Sequence, residues 1–226
     1  MRKITWQPIV VFIGLCLIVF ALATATTSLL PGKLPLGDFR GIGMVAAWVA
    51  YVYAYAIAVY RLFLVAMPLP EGEIHEGSRA EFVYHVYVLF YLIFFNSIMR
   101  SGTPPIPFMR LLYLVLGARL GHNTYSSGLI YDPLFVQIGN NSVIGESALL
   151  VPHVIEGTRL AHHPIHIGNN VTVGAHAVVM SGVTIGDGAI VSVGAVVTKG
   201  THIGAGEIWG GVPAKLLKRR ESGAVA

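Results

Sequence analysis

Ile167-Gly168-Asn169-Asn170-Val171-Thr172-Val173-Gly174 is followed by Gly182-Val183-Thr184-Ile185-Gly186-Asp187 and Gly194-Ala195-Val196-Val197-Thr198-Lys199. Through these stretches an apolar residue recurs every six positions, at Ile167, Val173, Val179, Ile185, Val191, Val197, Ile203 and Trp209. The same beat runs upstream at Ile138, Ile144 and Leu150. A six-residue period fits neither a helix, with about 3.6 residues per turn, nor a strand alternating every two. It reads as a structural repeat. Each hexad is one short strand and a tight turn, and three hexads close a triangular coil of about eighteen residues. The beat residues then point inward and stack eighteen positions apart, Ile167 on Ile185 and Val173 on Val191. Gly follows the beat at Gly139, Gly145, Gly168, Gly174, Gly186 and Gly204, where the chain must turn. One coil cannot bury its own inner face, so the stack is the folding unit.

Outward from this core, Leu120-Gly121 lies one coil before Ile138-Gly139, although Ser126 and Asp132 break the apolar beat there. The predicted β-helix is therefore 120–215, ending with Gly211-Val212-Pro213-Ala214-Lys215, and a basic tail over 216–226 follows with Lys218, Arg219 and Arg220. Residues 101–119 read as a Pro-rich linker and a short apolar helix.

The first hundred residues form a different kind of chain, a predicted membrane domain over 1–100. The protein is 54% hydrophobic and only 12% charged, against about 25% charged in soluble domains. Apolar runs at about 9–30 and 42–67 reach the roughly 20 residues that cross a bilayer. A third, 82–99, is at the short end and is read as an interfacial helix in preference to a crossing one. Its His85 reads as a packed or interfacial side chain. The first run, behind Arg2 and Lys3 and containing Ala21-Leu22-Ala23, also has the look of a cleavable signal peptide. Its continuation to Leu30 favours an uncleaved anchor. With two spans or three, the Lys and Arg distribution puts the β-helix on the cytoplasmic side. The net charge of +4 is scattered, with no basic stripe for nucleic acid. The one cysteine, Cys16, lies in an apolar run and offers no disulfide or thiolate metal site.

The beat fails once. Eleven residues, Glu156 to His166, separate Ile155 from Ile167, one short of two hexads. Solenoids expel insertions as loops that carry function. Four of the nine histidines, His153, His162, His163 and His166, cluster here, and His176 follows in the next coil. Histidine titrates near neutrality and is the usual general base.

With the segments quoted at the opening, Gly211-Val212-Pro213-Ala214-Lys215 completes a resemblance, over roughly Leu120 to Lys218, to the hexapeptide-repeat acyltransferases with a left-handed β-helix. Order and spacing are similar to the galactoside- and maltose-type O-acetyltransferases. The whole chain resembles membrane-bound hexapeptide transferases of bacterial envelope-polysaccharide or lipid clusters. The resemblance implies a left-handed coil, a homotrimer, and acyl-CoA, most simply acetyl-CoA, in a groove between neighbouring β-helices. It implies a His general base from the interrupted coil, His153 first, with Glu156 as an orienting carboxylate, and His163 second. His163-Pro164-Ile165 resembles a His-Pro segment that contacts substrate in serine acetyltransferases. For CoA it suggests backbone contacts at Gly174, Ala175, Ser192, Gly194 and Ala195, with Lys199 and Lys215 at the phosphates. No metal or permanently bound cofactor is implied. The acceptor expected is a membrane-associated sugar, polysaccharide precursor or lipid at the bacterial cytoplasmic membrane. Thr172 stands where the family often has Trp, and the loop is short, so the acceptor site is not carried over. Two other readings are a γ-type carbonic anhydrase, with zinc on His153, His163 and His176 of neighbouring subunits, and a non-enzymatic trimeric membrane scaffold.

Overall fold

The computed structural model describes residues 2–29 and 37–219. Leu30 at the end of the first apolar run, Lys33 in the loop after it and Arg220 in the basic tail lie outside the described residues. The chain divides into two compact units. One comprises Arg2–Leu69 and His75–Ile98; the other comprises Pro70–Ile74 and the chain from Met99 onward.

In the second unit the six-residue beat becomes three parallel sheets joined in rotation. Sheet I holds Arg119–Leu120, Val136–Ile138, Ile165–Ile167, Thr184–Ile185 and His202–Ile203. Sheet II holds Tyr125–Ser126, Val143–Ile144, Thr172–Val173, Ile190–Val191 and Glu207–Gly210, and sheet III holds Leu129–Ile130, Leu149–Val151, Val178–Met180 and Val196–Val197. The chain visits I, II and III in turn, which is a parallel β-helix. Register confirms the eighteen-residue coil: Ile167 pairs with Ile185, Val173 with Val191 and Val179 with Val197. The inward rows Ile144, Leu150, Val173, Val179, Val191 and Val197 are all 0% exposed. Each such side chain contributes about 1.5–3 kcal/mol by leaving water. Ala148, Ala177, Ala189 and Ala195 fill corners of the stack at 0% exposure. Gly174 is required by close approach, since a Cβ there would stand 2.5 Å from the amide nitrogen of Val193 on the next coil. Trp209, the last beat residue, is only half-buried; its indole N–H donates to Glu207 at 2.9 Å.

Two departures from the period matter for the site. Ile138 pairs with Ile167, twenty-nine residues on, so eleven residues are surplus in the second coil, as the interrupted beat requires. In the first coil Ile130 pairs with Leu150, a spacing of twenty. Ile130 therefore takes the inward position, and Asp132, which eighteen-residue spacing would have put there, is pushed onto the turn.

Both ends of the stack are covered. Helix α5 (Ile106–Leu116) stops at Gly117, whose φ of 115° lies in the left-handed region. Its Tyr113 hydroxyl donates to Gly128 O and accepts from Ile130 N, each at 3.2 Å. Arg110 donates to the carbonyls of Thr124 and Gly121 at 3.0 Å. At the far end Lys215–Arg219 folds back antiparallel on Glu207–Gly210, so the start of the basic tail is a strand.

The other unit holds α1 (Trp6–Leu29), α2 (Arg40–Ala66) and α3 (Arg79–Phe90). Beyond α3 the helix continues through a π-helical turn, Tyr91–Phe95, into α4 (Asn96–Arg100). The combined helix Arg79–Arg100 has 22 residues, so among the described residues three helices are long and apolar enough to cross a membrane. The third helix begins ahead of 82 because Ser78 caps the Glu81 N–H at 3.2 Å and so brings Arg79–Glu81 into it. Aromatic rings lock the three together: Phe12 meets Phe90 edge-on at 5.1 Å, Phe20 stacks on Trp48 at 5.9 Å, and Tyr60 meets Phe95 at 5.4 Å.

Candidate active site

The eleven surplus residues are folded as a β-hairpin. His153–Glu156 pairs antiparallel with Arg159–His162 around Gly157, which has φ of 59°. A third strand comes from an unexpected place. Gly72–Glu73, in the acidic loop between α2 and α3, pairs antiparallel with Ala161 and His162. Ile74 N donates to Leu160 O at 2.9 Å, and Arg159 donates to Glu73 at 2.6 and 2.9 Å.

His153 begins the hairpin, and its Nδ1 lies 2.5 Å from Oδ2 of Asp132. The displaced Asp132 sits at φ 42° just before the 3-10 turn Pro133–Phe135, a left-handed conformation that Asp tolerates. Its 6% exposure makes the pair a largely desolvated one. An ionised carboxylate can only accept, so Nδ1 carries the proton and Nε2 keeps a lone pair. The His153 side chain is 27% exposed and Tyr131 packs edge-on at 5.8 Å. Burial pulls the imidazole pKa down, but the hydrogen bond and the charge of Asp132 together outweigh it and leave His153 above its ordinary value. The pair supplies what general-base chemistry requires: an oriented ring, a lone pair on Nε2 and access to solvent.

The other predicted residues separate by role. Glu156 does not reach His153. It is exposed at the hairpin tip, where Lys199 and Arg159 pair with it. The carboxylate that orients His153 is Asp132, which reads in the sequence only as a flaw in the beat. That flaw was the available signal, since a charge where an apolar residue should stack must be displaced outward. His162, opposite His153 on the hairpin, is 0% exposed and stacks on Phe135 at 4.5 Å. Burial pushes it down to about 4, helped by His153 and His163 and opposed by Asp132, so it is neutral near pH 7. His163 is half-buried, and it lines a cleft of about 420 Å³ with Arg159, Ser181 and Lys199. His176 is exposed on a turn between sheets II and III, with φ of 58°. Among the described residues no three His, Cys, Asp or Glu stand close enough to hold a metal ion, so His153, His163 and His176 do not meet within one chain.

The residues suggested for CoA form a column along the sheet II–III corner, with Lys199 on a different corner. Gly174 N donates to Val191 O, Ser192 N to Trp209 O, Gly194 N to Ala175 O and Ala195 N to Ser192 O, at 2.7–3.2 Å. These four amides are engaged within the stack. The Ala195 side chain is wholly interior. Lys215 is exposed at the start of the terminal strand.

Residues 164–199 match a family described as the hexapeptide repeat of succinyl-transferase. Among solved structures the chain is similar to a hexapeptide-repeat-containing acetyltransferase of Vibrio cholerae complexed with acetyl coenzyme A. Identity is 24% over 47% of this chain and 62% of that one, with a TM-score of 0.44. It is similar to a galactoside acetyltransferase in complex with coenzyme A, at 30% identity over 46% of this chain and 55% of that one, TM-score 0.40. A maltose O-acetyltransferase from Clostridium difficile 630 shows 19% identity over 77% of this chain and 89% of that one, TM-score 0.45. The chain thus spans 62% of the length of the Vibrio protein. No curated protein matches it. The resemblance read from the residues holds for the repeat itself: over 164–199 this chain carries a transferase-type hexapeptide repeat.

Proposed function

We propose that the protein transfers an acyl group, acetyl above all, from acyl-CoA to a hydroxyl or amine of a membrane-associated sugar, polysaccharide precursor or lipid. The observation that carries this reading is the 2.5 Å pair between His153, on the coil with the hairpin, and Asp132, on the coil before it. His153 Nε2 takes the proton of the acceptor hydroxyl as its oxygen attacks the thioester carbonyl. The tetrahedral adduct collapses, the C–S bond breaks, and the imidazolium returns its proton to the departing thiolate. Asp132 holds the ring and stabilises the imidazolium between the two steps. General-base assistance of this kind is worth about 10²–10⁴-fold in rate. His163, on the neighbouring cleft with Lys199, is the second candidate base.

The co-substrate lies along the corner formed by Gly174, Ala175, Ser192, Gly194 and Ala195, with Lys199 and Lys215 toward its phosphates. Lys199 then exchanges Glu156 for phosphate. The coil is left-handed and the active form a homotrimer. In support, the outward row of sheet III is wholly aliphatic (Leu129, Leu149, Val178 and Val196) and only half-buried in one chain. The helices α1, α2 and Arg79–Arg100 hold the enzyme in the bacterial cytoplasmic membrane with the β-helix on the cytoplasmic side. They are long and apolar enough for that role. Anchoring raises the effective concentration of an acceptor confined to the bilayer. Calorimetric titration of the full chain in neutral detergent with acetyl-CoA tests the reading, with saturable binding expected. Absence of binding at millimolar acetyl-CoA refutes it and favours a scaffold.

A further inference from the structure

Within the unit formed by Arg2–Leu69 and His75–Ile98, two helix starts face one open cleft of about 500 Å³. Thr5 and Gln7 line it from the start of α1, and Gly77, Ser78 and Arg79 from the start of α3. Each helix start carries first-turn amides without intrahelical acceptors and the positive end of a backbone dipole. Two such ends on one cleft, with the exposed Arg79 on its wall, favour an anion. The carboxylate nearby does not cancel this. Glu81 accepts from Arg2 Nη1 at 3.0 Å and from Gly77 N at 2.7 Å, so its charge is met by a guanidinium. One helical turn further on, His85 lines the same cleft at 4% exposure, and no described residue hydrogen-bonds its ring. Buried polar groups are nearly always satisfied, and the open side of His85 is the cleft.

We propose that this cleft binds a phosphate group carried by a membrane lipid. Donors converge from two helix starts, a guanidinium and an imidazole, which suits a tetrahedral oxyanion better than a planar carboxylate. The lipid source rests on the reading that α1 and the Arg79–Arg100 helix, of 24 and 22 residues, lie in the bilayer. The cleft then opens where headgroups lie, beside Trp6, which is 69% exposed.

The full chain in neutral detergent is titrated calorimetrically with dioctanoyl phosphatidic acid, with dioctanoylglycerol and with inorganic phosphate. Phosphatidic acid binds once per chain, dioctanoylglycerol does not bind, and inorganic phosphate is at least tenfold weaker. Arg79→Gln, at an exposed position, weakens phosphatidic acid about tenfold or more with an unchanged far-UV spectrum. His85→Phe, which keeps the ring volume, weakens it as well. Equal binding of the phosphate-free lipid, or Arg79→Gln binding within threefold of wild type, overturns the site. Inorganic phosphate binding as tightly as phosphatidic acid overturns the lipid as its source. Alkaline carbonate extraction of membranes checks the bilayer reading separately: release of the chain would overturn the lipid source while leaving the detergent titration to judge the phosphate site.

Discussion

Asp132→Asn is the most informative single change, because it removes one charge and leaves the shape. Asn tolerates the left-handed backbone that position 132 adopts at φ 42°, so the turn survives. Its amide oxygen can still accept the His153 Nδ1 proton. What is lost is the difference between a charged and a neutral acceptor at 2.5 Å from a ring that becomes cationic during the reaction. Hydrogen bonds to charged groups are worth about 1.5–3 kcal/mol against about 0.5–1.5 for neutral ones, a difference of about 1–1.5 kcal/mol, which converts to roughly a five- to tenfold fall in kcat. The pH profile moves too, with a definite sign. In the wild type the rate rises with pH as His153 loses its proton, on a limb above the ordinary histidine value because Asp132 outweighs burial. Without the carboxylate charge only burial remains as a large effect, so the limb shifts to lower pH. Thiol release from acetyl-CoA, followed from pH 5 to 9 with saturating acceptor, reads both quantities. A fall in kcat under threefold, or a limb that stays in place, would refute Asp132 as the residue that positions and polarises the base.

Three further outcomes follow from the packing and the charges. His162 is fully buried and held at about 4. The unfolded chain takes up this proton near pH 6.5 while the fold resists it, so about 3 kcal/mol of stability is lost as pH falls from 6.5 to 4. His162→Phe, which keeps the stack on Phe135, flattens that part of the thermal-stability profile; an unchanged acid slope contradicts the assignment. Tyr113→Phe leaves the Ile130 amide without its buried partner, while the Gly128 carbonyl keeps Ser126 Oγ at 2.9 Å, and costs about 1–3 kcal/mol in calorimetric unfolding. Tyr125→Phe, on a ring already 39% exposed, serves as the quiet control. Glu156→Gln, at the exposed tip, lowers kcat less than Asp132→Asn in the same thiol assay; a larger loss would return the orienting role to Glu156.

The fold was legible because its constraint is local and periodic. The beat at Ile167, Val173 and Val179 is imposed by stacking on the next coil, and nothing distant modifies it. The same arithmetic located the hairpin, since eleven residues out of register must leave the stack. It failed at Asp132, where a two-residue surplus in the first coil moved Ile130 into the core; pattern alone shows a mismatch there but not its direction. Glu156 is close to His153 along the chain but stands three residues on in the same strand, and successive side chains of a strand face opposite ways. The strand Gly72–Glu73 left no local trace at all. Two residues of acidic loop carry no periodicity, and their pairing with Ala161 and His162 spans almost ninety positions.

We propose His153, held by Asp132, as the base for acyl transfer from CoA. Thiol release by the full chain with acetyl-CoA and a membrane-lipid extract as acceptor, compared among wild type, His153→Ala and His163→Ala, tests it most directly. A loss of about 10²–10⁴-fold is expected for His153→Ala and a smaller one for His163→Ala. Activity of His153→Ala within threefold of wild type would contradict it.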